Sequence, residues 1–265
     1  DFRLLTFDFC IFLDFVYVKS LSEEILSLYE ISNLTFCFEN EKLFENLNEK
    51  IENGKIYLLT SSAGEGKTTF LKLLAGLLFP TSGVIYYKGK PISSFSKQEM
   101  LAYHRDTGFL FQNAALINNL DILENLSLYY KYNQSLPQDR INDIIIPYVE
   151  RFNLKSLIYN RPEQLSHSEQ MLFSLIRAIS HEPKIIFFDE PIETLDQPTI
   201  KIVMQIIYEF KQMGKTMIIT THHPHLFFNL ADKISILSNK KIIFSGTHNE
   251  ILGCQNEMVK KLLDD

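Results

Sequence analysis

The sequence predicts an α/β fold built on a parallel sheet. Three observations carry that expectation. Short apolar runs alternate with helical patterns along most of the chain, a glycine-bearing loop joins one such run to an apolar helix, and successive strands are separated by helices.

The elements follow in order. Ile31–Phe38 is rich in strand formers, Glu39-Asn40-Glu41 reads as a turn, and Leu43–Ile51 comes after it. Asn53-Gly54 marks a second turn, and Lys55–Thr60 reads as a buried strand. Past the glycine loop, Thr68–Leu78 continues as an apolar helix that ends before Pro80. From about Ser93 to Arg161 the pattern is mostly helical, clearest at Ile122–Tyr132 and Asp139–Phe152. A helix after Ser166, the strand Lys184–Phe188, a helix near Thr199–Gln212 and the strand Thr216–Thr220 follow. Two short strands, Lys233–Leu237 and Lys241–Phe244, precede a helical tail.

At 265 residues, 46% hydrophobic and 22% charged, the chain has the composition of a globular protein with one sizeable core. The net charge of −6 offers no global attraction to nucleic acid, so no nucleic-acid partner is expected. Cys10, Cys37 and Cys254 stand far apart and form no disulfide framework, which points to a reducing compartment. The apolar stretch Leu4–Val18 is short for a membrane span. It also carries Asp8 and Asp14, each costing roughly 2.5–3.5 kcal/mol near a bilayer centre. It lacks the basic flank of a secretory signal as well, and residues 1–29 read as an extension of unassigned role.

The main chemical feature is Ser61-Ser62-Ala63-Gly64-Glu65-Gly66-Lys67-Thr68-Thr69. Gly64 and Gly66 let the backbone wrap closely, so that its N–H groups face phosphate oxygens. Lys67 supplies a point charge for the β- and γ-phosphates, and the Thr68 hydroxyl is a ligand for Mg²⁺. The helix that starts here adds its positive end. Ser61 stands where GxxxxGK[ST] has its first glycine, a departure that costs little provided Ser61 can adopt the backbone angles needed. Downstream, the apolar run Ile185–Phe188 ends in Asp189 and Glu190. At a strand end beside the phosphate loop, Asp189 can hold Mg²⁺ and Glu190 can act as general base on the attacking water.

With these residues in place the chain resembles the ABC (ATP-binding cassette) ATPase family over about residues 31–250. Gln112 is similar to the Q-loop glutamine, which in that family senses Mg²⁺ and water. Leu165-Ser166-His167-Ser168-Glu169-Gln170 sits where the LSGGQ-type signature belongs, Asp196 resembles the D-loop acid, and His222 resembles the histidine that contacts the γ-phosphate. Phe38 occupies the place of the aromatic that stacks on adenine. His223 and His225, next to His222, have no suggested carboxylate or cysteine partner for a metal site.

The resemblance implies a P-loop NTPase core with an N-terminal antiparallel β subdomain and an inserted helical subdomain. On this division residues 30–255 form the ATPase domain, about 93–165 the helical insert and 256–265 a tail. It further implies ATP and Mg²⁺ as cofactors and a homodimer or heterodimer of ATPases. Transmembrane permease subunits are the implied partners, on the cytoplasmic face of a membrane. Ser62, Ala63, Gly64, Glu65, Gly66, Lys67, Thr68, Thr69, Phe38, Ser166 and Asp196 are then nucleotide contacts, with Glu190, His222 and Gln112 serving hydrolysis and Thr68, Gln112 and Asp189 serving the metal.

In the family the signature closes on the partner's nucleotide. Here both of its glycines are replaced, by His167 and Ser168, which predicts an impaired contribution to the partner's site. Phe111–Leu116 and Leu123–Leu126 are similar to stretches in ATPases of lipid-trafficking importers and of the cell-division complex. The alternative is an ATP-gated clamp that hydrolyses weakly and does not transport.

Overall fold

The computed structural model describes residues 27–39, 41–257 and 259–260. The N-terminal stretch Leu4–Val18, Cys10, the centre of the first turn (Asn40) and most of the 256–265 tail lie outside them.

Two sheets organise the chain. The smaller is antiparallel, in the order β2-β1-β4-β5, from β1 (Ser27–Phe38), β2 (Glu41–Glu52), β4 (Ser82–Tyr87) and β5 (Lys90–Pro91). The larger has the order β10-β9-β3-β8-β7-β6, from β3 (Ile56–Thr60), β6 (Thr107–Leu110), β7 (Ile185–Asp189), β8 (Thr216–Thr221), β9 (Lys233–Ser238) and β10 (Lys241–Gly246). Only the β9–β10 pair in it is antiparallel. The α/β class with a parallel core and an antiparallel β subdomain therefore stands.

Strands β3, β7 and β8 are buried along their whole lengths because both faces are covered. Leu58, Ile186, Phe188, Met217 and Ile219 face a core shared with three helices: α3 (Ile122–Tyr129), α4 (Gln138–Arg151) and α5 (His167–Ile179). Tyr57, Leu59, Phe187 and Ile218 face the opposite core, filled by the helix α1 (Lys67–Leu74), the antiparallel sheet and Tyr103 of the helix α2 (Lys97–Arg105). Each such side chain contributes about 1.5–3 kcal/mol of burial free energy, which makes these strands the rigid frame on which the loops are hung.

Two stretches differ from the sequence expectation. Residues 82–91, unassigned above, form β4 and β5, and β4 pairs with β1. The stretch expected to be mostly helical contains β6, which pairs with β7 in parallel register from Thr107↔Ile185 to Leu110↔Phe188. Its four residues include Gly108, where a Cβ would lie 2.1 Å from the Ala178 carbonyl, so this short strand depends on the close approach of α5 rather than on its own propensity. Helix α1 stops at Leu74, short of the expected Leu78, because Gly76 takes φ 68° and the Leu77 N–H turns back to the Lys72 carbonyl at 2.9 Å.

Candidate functional site

Strand β8 lies between β3 and β7 with Thr60↔Thr221 and Asp189↔Thr220 in register. The C-terminal ends of three adjacent parallel strands therefore deliver the phosphate loop, the 189–190 carboxylates and His222 to one place, the usual location of a ligand site in such sheets.

The loop leaves β3 at Thr60 and enters α1 through Gly66, which has φ 103° and ψ 17°. A Cβ on Gly66 would sit 2.9 Å from Leu43 and Phe44, so both the angle and the crowding demand glycine. Gly64 has φ 79° with nothing within 4 Å of a built Cβ, and Ser62 and Ala63 are exposed. Glu65, Thr68 and Thr69 are half-buried. The first turn of α1 carries neither a side-chain cap nor an acid, which leaves its N–H groups available to an anion. Ser61 is absent from the positive-φ residues among the described chain, so its Cβ brings no backbone strain. It is buried, and both its carbonyl and its hydroxyl oxygen lie 3.3 Å from Lys67 Nζ.

Lys67 is the hub. Its ammonium is 3.2 Å from Glu190 Oε1 and 3.0 and 3.1 Å from the two ring nitrogens of His222. Burial lowers the Lys67 pKa, and the Glu190 charge opposes that shift. Glu190 is only 4% exposed and has φ 49°, a left-handed conformation that a non-glycine residue holds only under constraint. Its Oε2 accepts the His222 backbone N–H at 3.0 Å. Its Oε1 lies 3.2 Å from both Lys67 Nζ and His222 Nε2 yet receives no well-directed hydrogen bond. A buried, underused carboxylate oxygen is the lone pair that a general base needs.

Asp189 Oδ1 accepts from the hydroxyls of Thr68 at 3.0 Å and Thr220 at 2.9 Å. Burial raises the Asp189 pKa against the opposing effect of those hydroxyls. An aliphatic hydroxyl and a carboxylate in contact form the hard-oxygen donor set that suits Mg²⁺, so these residues fit the metal.

Gln112 is exposed just beyond β6, and its Nε2 donates to Glu193 Oε2 at 2.6 Å. Arg177 of α5 holds the following turn by donating to the carbonyls of Ala115 at 2.8 Å and Ala114 at 3.0 Å. Sequence reasoning singled out neither Glu193 nor Arg177. Glu193 opens the stretch Glu193-Thr194-Leu195-Asp196 that resembles the D-loop, but that resemblance drew attention to Asp196 alone. Phe38 ends β1 opposite Glu41, 67% exposed, and lines an open cavity with Glu39, Glu41 and Leu43, the last of which packs over Gly66.

Ser166 and Asp196 make no contact with the Lys67 cluster. Ser166 caps α5, donating its hydroxyl to Glu169 Oε2 at 2.8 Å while accepting from the Glu169 N–H. Asp196 caps the helix α6 (Gln197–Gln212) through the Thr199 N–H at 2.8 Å. The bond to Thr199 holds the Asp196 carboxylate below its ordinary pKa. The two substituted signature positions reach the same turn: His167 Nε2 lies 3.0 Å from Thr194 Oγ1, and Ser168 Oγ accepts the Asp196 N–H at 3.5 Å.

The family model described as ABC transporter matches residues 44–193. The intermembrane phospholipid transport system ATP-binding protein MlaF of Haemophilus influenzae is 30% identical over 238 residues, 89% of this chain and 90% of that protein. An uncharacterized ABC transporter ATP-binding protein of Methanocaldococcus jannaschii is 36% identical over 203 residues, 75% and 88% of the two chains. The ATP-binding cassette MJ0796, solved as a dimer in a post-hydrolysis state bound to ADP and Pi, superposes with a TM-score of 0.75 at 25% identity, covering 83% of this chain and 98% of that one.

Proposed function

The chain belongs to the ABC transporter family as an ATP-binding, ATP-hydrolysing subunit of a transport system, and we propose that the Lys67–Glu190–His222 cluster is its hydrolytic centre. The observation that carries this reading is the convergence of a buried ammonium, a buried carboxylate with an underused oxygen and an imidazole at the ends of β3, β7 and β8.

The chemistry follows from these positions. Phosphate oxygens entering the loop meet the free N–H groups at the start of α1 and draw Lys67 away from Glu190. Glu190 is thereby released to take a proton from water as the water oxygen bonds to the γ-phosphorus. The bond from that phosphorus to the bridging oxygen breaks, and its electron pair leaves with ADP. His222, held at its backbone by Glu190, presents its ring to the γ-phosphate. Thr68, Asp189 and Gln112 would hold Mg²⁺, and the ion when bound would neutralise charge developing on the phosphates. Phe38 offers an exposed ring for the adenine.

Among the described residues no helix is long and apolar enough to cross a membrane. The likeness to ATP-binding proteins of transport systems supports action from the cytoplasmic face on separate permease subunits. The similarity to a phospholipid-transport ATP-binding protein supports lipid as the cargo.

A second reading has its own observation. Ser166 is committed to Glu169, and His167 and Ser168 are engaged with the chain's own 194–196 turn. A signature in that condition contributes poorly to a partner's site, which favours either a heterodimer with an intact second ATPase or a slow, ATP-gated clamp.

The test is ATP-dependent dimerisation of Glu190→Gln measured by light scattering, with Lys67→Ala as the negative control. A dimer that appears only with ATP supports the centre and shows the altered signature to be tolerated. A Glu190→Gln monomer that turns over ATP as fast as the parent removes Glu190 as the base. A monomer that still binds ATP points to a partner with an intact signature or to a need for the permease subunits, and mixing in candidate partners separates the two.

A further inference from the structure

The carboxylate of Glu193 and the amide of Gln112 are 81 positions apart in sequence and 2.6 Å apart in space. A carboxylate accepts hydrogen bonds but cannot donate them, so it selects the NH₂ end of an amide and leaves the carbonyl end pointing elsewhere. We propose that Glu193 is a positioning residue that turns the Gln112 side chain so that its carbonyl oxygen Oε1 serves the metal and the attacking water. The inference rests on the reading of Gln112 given above.

Both ends of the pair are held. The Glu193 N–H donates to the Glu190 carbonyl at 3.2 Å, and the Glu193 carbonyl accepts the Thr194 hydroxyl at 2.6 Å. Thr194 has φ 62° and meets His167 Nε2 at 3.0 Å, so the turn that carries Glu193 is braced against the start of α5. On the other side, Arg177 grips the carbonyls of Ala114 and Ala115 just past Gln112. Without Glu193 the Gln112 amide is free to present its NH₂ group instead, and an N–H donor repels a cation.

The test is calorimetric binding of the non-hydrolysable analogue AMP-PNP, once with Mg²⁺ and once with EDTA, to the parent, Gln112→Ala, Glu193→Ala and the double variant. Glu193→Ala is expected to weaken Mg²⁺-dependent binding on the order of tenfold, the size typical of groups that orient a metal ligand, while binding in EDTA stays unchanged. The double variant is expected to bind no more weakly than Gln112→Ala alone, because the two residues act in series. Glu193→Gln, whose amide can present either end to Gln112, is expected to lose less than Glu193→Ala. Equal weakening in Mg²⁺ and in EDTA overturns the proposal, and so do additive losses in the double variant. A loss in Gln112→Ala with none in Glu193→Ala overturns it while leaving the role of Gln112 intact. No loss in Gln112→Ala removes the earlier reading of that residue and this inference with it.

Discussion

Lys67 and Glu190, 6% and 4% exposed, form a buried ion pair of 3.2 Å. The pair is poised for exchange. On the proposed reading a nucleotide's phosphates compete for the ammonium, and the carboxylate they displace is the base.

Lys67→Ala therefore removes more than a phosphate contact, since it leaves Glu190 buried without its main partner. The variant is expected to lose ATP binding and about 3 kcal/mol of stability. Lys67→Ala/Glu190→Gln is expected to regain most of that stability with no return of binding. Urea denaturation of the nucleotide-free proteins checks both, and a double variant no more stable than Lys67→Ala would show that the pair is not what the fold feels.

Asp189 gives a pH dependence whose sign is fixed by its raised pKa. An acid whose folded pKa lies above its unfolded value contributes stability fully present below the unfolded pKa, about 3.9, and lost as pH rises through the folded one. The ionised carboxylate is thus a cost to the nucleotide-free protein at neutral pH. Asp189→Asn, whose carbonyl still accepts from Thr68 and Thr220, is expected to melt higher than the parent at pH 7. That gain should shrink as pH falls toward 4, and Mg²⁺-dependent nucleotide binding should be lost. Melting curves across that range, with and without Mg-nucleotide, check it.

Restoring the signature by His167→Gly/Ser168→Gly removes the bonds to Thr194 and the Asp196 N–H. The contacts themselves are exposed, but both positions lie in the first turn of α5, so the two glycines are expected to cost about 1 kcal/mol of stability. If the side chains obstruct the partner's nucleotide, turnover of a homodimer is expected to rise on the order of tenfold or more, the scale on which backbone donors at a reacting phosphate act. Steady-state ATPase measurement decides this, and an unchanged rate removes the obstruction.

Far from the nucleotide, Glu49 joins the two sheets. It is buried and takes hydrogen bonds from Lys233, from Ser235 at 2.7 Å, from Ser245 at 2.8 Å and from Tyr57 at 3.2 Å. Burial works to raise its pKa, but the bonds from Lys233 and Ser235 prevail and hold it below the ordinary value. Its contribution to stability is therefore present above the unfolded pKa and lost as pH falls through the folded one. Glu49→Ala is expected to cost about 3 kcal/mol with nucleotide affinity unchanged. Chemical denaturation beside a binding titration separates the two effects.

The sequence by itself determined which strands are central, because Leu58, Phe188 and Ile219 lie in apolar runs that only a sheet covered on both faces can bury. It also determined the phosphate loop, since glycine at 64 and 66 ahead of Lys67 is a local requirement of backbone angle and charge. The order of Asp189, Glu190 and His222 along the chain was legible for the same reason, since each ends or follows a strand whose pattern is local, whereas Gln112 was legible only through the family resemblance. Tertiary structure alone decided the rest. Strand β6 is too short to announce itself and exists where β7 and α5 receive it. The grip of Glu193 on Gln112, of Arg177 on the turn beyond it and of His167 on Thr194 spans 81, 62 and 27 positions. No local propensity encodes such contacts. They arise because parallel strands return each loop to the same edge of the sheet, where side chains remote in sequence become neighbours.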